Sequence, residues 1–351
     1  MFGTYKSDDV TILLKDITGL VQPLATKERE IRIQSGVHYS EMLPLEYEPT
    51  PEYMAIYKLA LDRFSKITAD AVGAVSEQIW NDKGKDTVLI SLARAGTPIG
   101  ILIKHYMEKK YCCKIPHYTI SIIRGRGIDK NAMNYILARH NPEGLQFVDG
   151  WTGKGAIRNV LTEALKDYPQ ISQDLAVLSD AAFAAEKCGT HEDFLIASSC
   201  LNSTVSGLLS RTFLRSDIIS ENDFHGAAFY SELTEKDVTY QFINRIEQEF
   251  DFNKTYNNDS DNKITFSGLG EAENIRKKFG IKSINFVKPG IGETTRVLLR
   301  RVPWKILVHS MNDEKNLGHI YQLAQEKGVA VEEYPLEHYK ACGLIKDLSD
   351  I

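Results

Sequence analysis

The chain has 351 residues, 43% of them hydrophobic and 25% charged, with a formal net charge of −5; this composition fits a folded chain of two or three domains. The acidic balance excludes a protein that coats nucleic acid along its whole length, although it leaves room for a local basic face. Five cysteines without a Cys-x-x-Cys pair argue against a disulfide framework or a zinc site and for a reducing cytoplasm, and no metal ligand set is assigned; the first residues lack the apolar core of a signal peptide, and no apolar run reaches membrane-spanning length.

Residues 1–55 carry few periodic segments and the proline-punctuated run Leu43 to Pro51, which predicts an extended arm. His38-Tyr39-Ser40-Glu41 in this arm could reach a site elsewhere. From Glu52 the spacing of Tyr53, Ile56, Tyr57, Ala60 and Phe64 predicts a helix that runs with breaks to Trp80. Apolar strands then alternate with helices: strands over 87–92, 117–123, 145–148 and 175–179, helices over 99–109 and 156–166. This is the pattern of a parallel sheet with its ligand crevice at the strand C-termini. A helix is expected over 205–213 and another over 234–250. The Asn/Asp-rich run that follows reads as a linker over 251–263.

The stretch from Leu145 to Ile157 is the most informative. An apolar strand ends in Asp149, and Gly150-Trp151-Thr152-Gly153-Lys154-Gly155 leads into a helix. Such a loop suits a phosphate, because glycines let the backbone approach closely and the helix N-terminus offers unpaired N–H groups. It is not a Walker A loop: Val148 stands where the first glycine belongs and Gly155 where Ser or Thr would hold magnesium. It resembles the ribose-phosphate loop of the type I phosphoribosyltransferases, with one acid, Asp149, where that family has a pair. The run Ala93-Arg94-Ala95-Gly96-Thr97 is similar to that family's pyrophosphate loop, and Arg124 to Lys130 to its flexible loop.

The resemblance implies a Rossmann-like parallel-sheet phosphoribosyltransferase domain over 56–250. It also implies displacement of pyrophosphate from phosphoribosyl pyrophosphate (PRPP) by a nucleobase or related nucleophile. Asp149, Arg94, Arg124, Arg126 and Lys130 would be the catalytic set, Mg2+ would be carried in by PRPP, and Asp180 would face the base or cap a helix. A rival chemistry sits downstream, where Cys188 or Cys200 could be a nucleophile with His191 or His225 as its base.

The last 88 residues hold 13 Lys+Arg against 11 Asp+Glu, and the window Lys282–Lys305 has six basic residues and one acid. Helices are predicted over 271–279, 290–301, 316–327 and 336–342, with strands over 283–287, 305–309 and 329–333. This segment, 264–351, resembles the Pelota and kink-turn-binding ribosomal-protein family through Lys288-Pro-Gly290-Ile-Gly292-Glu293-Thr-Thr-Arg296. That implies a second, α/β sandwich domain that contacts structured RNA, with Glu293 reading bases and Lys288, Gly290, Gly292 and Arg296 at the backbone. The pair of domains is similar to the phosphoribosyltransferase–Pelota proteins of bacterial tellurite and stress-response operons, a family also named cysteine protease StiP. Three functions follow: a PRPP-dependent transferase that contacts RNA, which is the main expectation; a thiol protease; and a non-catalytic regulator that senses PRPP or a nucleotide.

Overall fold

Strands buried on both faces must be apolar throughout and need crossover helices to cover them, and the central segments meet both conditions. The computed structural model describes residues 2–256 and 264–345. It opens with strands β1 (Thr11–Ile12) and β2 (Lys15–Asp16), helix α1 (Thr26–Gln34) and helix α2 (Pro51–Lys83). Then come β3 (Val88–Ala93), α3 (Gly96–Tyr111), β4 (His117–Ile123), β5 (Gly127–Ile128), α4 (Lys130–Leu137), β6 (Leu145–Val148), α5 (Ala156–Leu165), β7 (Leu175–Ser179) and β8 (Lys187–Thr190). Strand β9 (Gly226–Ala227) and helix α6 (Thr239–Glu247) complete the first half.

The main sheet has seven strands in the order β1-β4-β3-β6-β7-β8, with β5 added antiparallel to β4 and every other pairing parallel. Strands β4, β6 and β7 are buried at every position, which is why they read as continuous apolar runs. The strand order reverses between β3 and β6, so the loops after these two strands face the crevice where α/β sheets bind ligands.

Residues of the expected arm are built into this body. β1 extends the sheet beside β4, β2 pairs with β9, and Tyr5, Val10 and Leu14 join the main core. Helix α2 is one unbroken element of 33 residues, started by Pro51 and by the Thr50 hydroxyl accepting from Tyr53 N; with no proline inside it, nothing interrupts the ladder. The helix expected over 205–213 is absent. A single 3-10 turn, Ser203–Val205, is followed by Gly207 and Leu208 at φ +67° and +55°, and two left-handed residues in succession end helical propagation.

The second half consists of α7 (Ser267–Lys278), β10 (Val287–Pro289), α8 (Ile291–Arg300), β11 (Pro303–Val308), α9 (Glu314–Glu326), β12 (Ala330–Glu333) and β13 (Ala341–Ile345). Its four-stranded sheet runs β10-β13-β11-β12. The helix expected over 336–342 is replaced by β13, which pairs antiparallel with both β10 and β11. Periodicity alone does not separate a short apolar run into helix or strand. Residues 257–263 of the expected linker and 346–351 of the expected second domain lie outside the described residues.

The halves are in contact. The Tyr53 hydroxyl on α2 donates to Leu299 O on α8 at 2.6 Å, and the Arg63 guanidinium donates to Lys315 O on α9 at 2.7 Å. Farther along α2, Ala71 presses on β8: a Cβ at Gly189 would lie 2.4 Å from Ala71 O. A backbone neighbour cannot step aside as a flexible side chain can. Gly189→Ala should therefore destabilise the fold by about 1–3 kcal/mol, read as a lower urea midpoint at unchanged slope.

Candidate active site

A thiol, an imidazole and an acid meet at the C-terminal ends of β7 and β8. Cys188 lies inside β8 with 4% of its surface exposed. Its backbone is clamped from α2 by one side chain: Gln78 Nε2 donates to Cys188 O at 2.7 Å, and Cys188 N donates to Gln78 Oε1 at 3.2 Å. His191 follows in the turn after β8, with Nε2 3.6 Å from Cys188 Sγ. Its Nδ1 lies 2.7 Å from the backbone oxygen of Asp180. A carbonyl can only accept, so Nδ1 carries the proton and the lone pair of Nε2 points at the thiol. This is the tautomer a general base requires.

Asp180 anchors the surroundings. Its fully buried carboxylate accepts from the Thr152 hydroxyl, from Ala184 N at 2.9 and 3.0 Å and from Ala185 N at 3.0 Å. These bonds fix the turn 181–185, and from that turn the Phe183 ring stacks on the His191 imidazole, centroids 3.9 Å apart and planes 3° from parallel. Ligand atoms of Asp180, Cys188 and His191 lie within 4.8 Å of one another, close enough for a metal. The carboxylate, however, already serves the turn and Thr152, an arrangement that suits orientation of the imidazole.

The other candidate thiol is of a different kind. Cys200 is fully buried, and burial pushes its pKa up to about 12, which keeps the sulfur in the unreactive thiol form at neutral pH. His225 bonds Ser121 Oγ at 2.8 Å and, through its backbone N–H, the Asp129 carboxylate. His225 and Asp129 line a separate cavity of about 650 Å³ together with Arg126, Lys130 and Arg215.

Several of the residues expected to grip PRPP are engaged with partners inside the protein. Arg94 donates to Leu209 O at 3.1 Å, Arg126 pairs with Glu41 at 2.6 Å and Lys130 with Asp167 at 2.8 Å. Gly96 packs so closely that a Cβ would lie 2.6 Å from Val148 O, while Ala93 and Ala95 flank Arg94, and the Thr97 hydroxyl bonds that of Thr119. The glycine loop is turned toward the second half of the chain. Lys154 donates to Ile284 O and Val287 O at 2.7 and 2.8 Å, Gly153 O accepts from the Tyr339 hydroxyl, and the Phe266 ring covers Gly155, where a Cβ would lie 2.8 Å from it. Trp151 and Thr152 bridge to Ser179, and Gly150 O accepts from Leu178 N. Burial pushes Asp149 up to about 7; the hydrogen bond it accepts comes from its neighbour Gly150 N.

The residues expected at RNA are likewise partly engaged. Gly290, at φ +96°, starts α8, and the first amide of that helix, Ile291 N, donates to both carboxylate oxygens of Asp193 at 3.0 and 3.2 Å. Gly292 lies against Ser199 and Glu293 pairs with Arg296 at 3.2 Å. Sequence reasoning passed over Gln78, Phe183 and Asp193. The spacing Asp180, Cys188, His191 was visible, but only the register of β7 with β8 makes those three neighbours.

Residues 3–247 match the family model described as "Tellurite-like stress resistance cysteine protease StiP". The chain belongs to the StiP family. It is 35% identical over 371 residues to "Cysteine protease StiP" of Acinetobacter baylyi (strain ATCC 33305 / BD413 / ADP1), an alignment that covers 99% of this chain and 94% of that protein. Residues 266–347 match the PELOTA RNA binding domain. Among solved structures, a hypoxanthine-guanine phosphoribosyltransferase of Bacillus anthracis str. 'Ames Ancestor' is similar at 14% identity and TM-score 0.28, over 36% of this chain and 77% of that one. The xanthine-guanine-hypoxanthine phosphoribosyltransferase of Helicobacter pylori is similar at 16% and 0.22, over 39% and 79%.

StiP membership overturns the main expectation of a PRPP-dependent phosphoribosyltransferase. Both the family and the relative bear the name of a cysteine protease. Magnesium was expected only as the companion of PRPP. No helix among the described residues is long and apolar enough to cross a membrane.

Asp149 has its own pH signature. A carboxyl whose folded pKa is raised adds stability that is complete below its unfolded value near 4 and is lost as pH rises toward about 7. Asp149→Asn should remove that slope and stabilise the chain at pH 8 by on the order of 2 kcal/mol, measured by urea unfolding at pH 4, 6 and 8.

Proposed function

We propose that the chain is a thiol-dependent peptide hydrolase with Cys188 as nucleophile, His191 as general base and Asp180 as the residue that orients the imidazole. The observation that carries this reading is the 3.6 Å contact between Sγ and Nε2 combined with the carbonyl that fixes the opposite ring nitrogen as a donor. Family membership supplies the reaction class.

The steps follow from those positions. His191 Nε2 takes the thiol proton as Cys188 Sγ attacks the carbonyl carbon of a peptide bond. The proton then passes to the amide nitrogen, the C–N bond breaks, and the acyl group stays on sulfur as a thioester. Water, giving its proton to Nε2, adds to the thioester; the C–S bond breaks, the acid leaves and the thiol is restored. The Gln78 clamp holds the sulfur's backbone, and the Asp180 carbonyl with the Phe183 ring holds the imidazole plane, so the two reacting groups need little rearrangement.

Cys342 is excluded as a nucleophile on the same ground as Cys200, because it is fully buried and burial raises its pKa above the ordinary thiol value. In this reading the C-terminal domain supplies RNA contact and takes no part in the covalent chemistry.

Iodoacetamide labelling at pH 7 with mass mapping tests the assignment. Cys188 should be alkylated well before Cys200, and His191→Gln should slow that reaction at least about tenfold. In a casein or fluorogenic-peptide assay Cys188→Ala should abolish turnover and Cys200→Ser should retain it. An unreactive Cys188 in a folded protein, or full turnover in Cys188→Ala, would refute the reading.

A further inference from the structure

The pair that the thiol chemistry draws on also meets the distance demands of a metal ion. Tetrahedral zinc, with a Zn–S bond of about 2.3 Å and a Zn–N bond of about 2.0 Å, holds those two ligand atoms about 3.5 Å apart. Cys188 Sγ and His191 Nε2 stand 3.6 Å apart, so an ion can enter between them with little movement of either side chain. Among the described residues, only Asp180, Cys188 and His191 bring three potential ligand atoms of His, Cys, Asp or Glu within 4.8 Å of one another.

The surroundings are set for the ion. A metal-binding imidazole characteristically gives its other N–H to a carbonyl or a carboxylate. His191 does this: Nδ1 donates to Asp180 O at 2.7 Å, which leaves the Nε2 lone pair directed at the sulfur. The Phe183 ring fixes the imidazole plane, and Gln78 fixes the backbone that carries the sulfur. Charge balance acts in the same direction. The buried Asp180 carboxylate lies 3.9 Å from Nδ1, and together with a thiolate it supplies two negative charges to offset a divalent cation away from bulk water. Its oxygens already accept from Thr152, Ala184 and Ala185, so it acts from behind the imidazole and is not itself a ligand. The His191 side chain is 29% exposed, which opens the pair to solvent from the imidazole side.

Sulfur and imidazole nitrogen select zinc over magnesium and calcium, which take oxygen ligands. We propose that Cys188 and His191 bind one Zn2+ ion, with water in its remaining positions, and that the bound ion holds the hydrolase in an inactive state. On binding, the Cys188 S–H bond breaks, a sulfur–zinc bond forms and the proton leaves to solvent. The sulfur electron pair and the Nε2 lone pair are then both engaged, and neither nucleophile nor base is available. The ion site stands on geometry alone; its inhibitory effect rests on the hydrolase reading. With two protein ligands the site is weaker than a four-ligand structural zinc site, and a strong chelator restores the thiol. The sequence argued against zinc for want of a Cys-x-x-Cys pair, whereas the pair here is Cys188-x-x-His191.

Titration of the chelator-treated full chain with Co2+ as a spectroscopic substitute, and with Zn2+ against a colorimetric chelator, tests this. Wild type should show the sulfur-to-cobalt charge-transfer band, saturating at one ion per chain and displaced by Zn2+. Cys188→Ala should lack the band, His191→Gln should weaken Zn2+ binding at least about tenfold, and Cys200→Ser should bind as wild type. Zn2+ should also slow iodoacetamide labelling of Cys188 at least about tenfold, reversibly with EDTA, while the exposed Cys112 is labelled as before. Melting temperatures confirm that each variant is folded. Absence of the band in folded wild type overturns the site, as does Zn2+ affinity unchanged in Cys188→Ala, which would place the ion elsewhere. Full turnover at saturating Zn2+ overturns the inactive state. A chain that binds Zn2+ through Cys188 but cleaves no peptide upholds the ion site and refutes the hydrolase reading; one that cleaves through Cys188 but binds no ion there does the reverse.

Discussion

The carboxylate of Asp193 is the interaction on which the arrangement of the molecule depends. It leaves the turn after β8 and accepts from Ile291 N at the start of α8 and from Lys340 N just before β13, the latter at 2.8 Å. A buried carboxylate at a helix N-terminus satisfies amides that would otherwise be orphaned and meets the positive end of the helix dipole. Burial pushes its pKa up to about 6, so the contact is held by geometry against a real desolvation cost. Since Asp193 is two residues from His191, the group that docks the second domain and the group proposed to take the thiol proton share one turn.

That docking explains why a phosphate-type loop has a different use here. In the isolated sheet, Gly150 to Gly155 would present amides to an anion. In the whole chain the loop is a bearing surface: Lys154 reaches carbonyls of the second domain, Tyr339 holds Gly153 and Phe266 lies on Gly155. Thr152, which would have touched phosphate, instead donates to Asp180 and so helps position the imidazole. The same residues thus support a thiol site one strand away.

The sequence was legible where burial dictates residue type. Strands β3, β4, β6 and β7 were found because both faces are covered and the apolar runs are continuous. Strand β13 was misread because Ala341 to Ile345 is too short for its period to distinguish strand from helix, and its place between β10 and β11 is decided by long-range pairing. The turn at Gly207 was missed because Tyr5, two hundred residues away, fills the space a side chain would need there. In the site, Cys188 and His191 were visible as residue types, but their pairing over Cys200 and His225 rests on a contact between sulfur and imidazole and on one carbonyl, neither of which a linear pattern encodes. The glycine loop was conspicuous and misleading, since what covers it lies more than a hundred residues downstream.

Helix α2 has a mechanical consequence. Its 33 residues form a rod of about 50 Å. Near its start Tyr53 and Arg63 hold helices α8 and α9 of the C-terminal half, and near its far end Gln78 grips the backbone on both sides of the sulfur. Load applied to either half is carried along one stiff beam, so the docked domain and the reactive sulfur hang from a common strut and neither can be displaced without stressing the other's mooring.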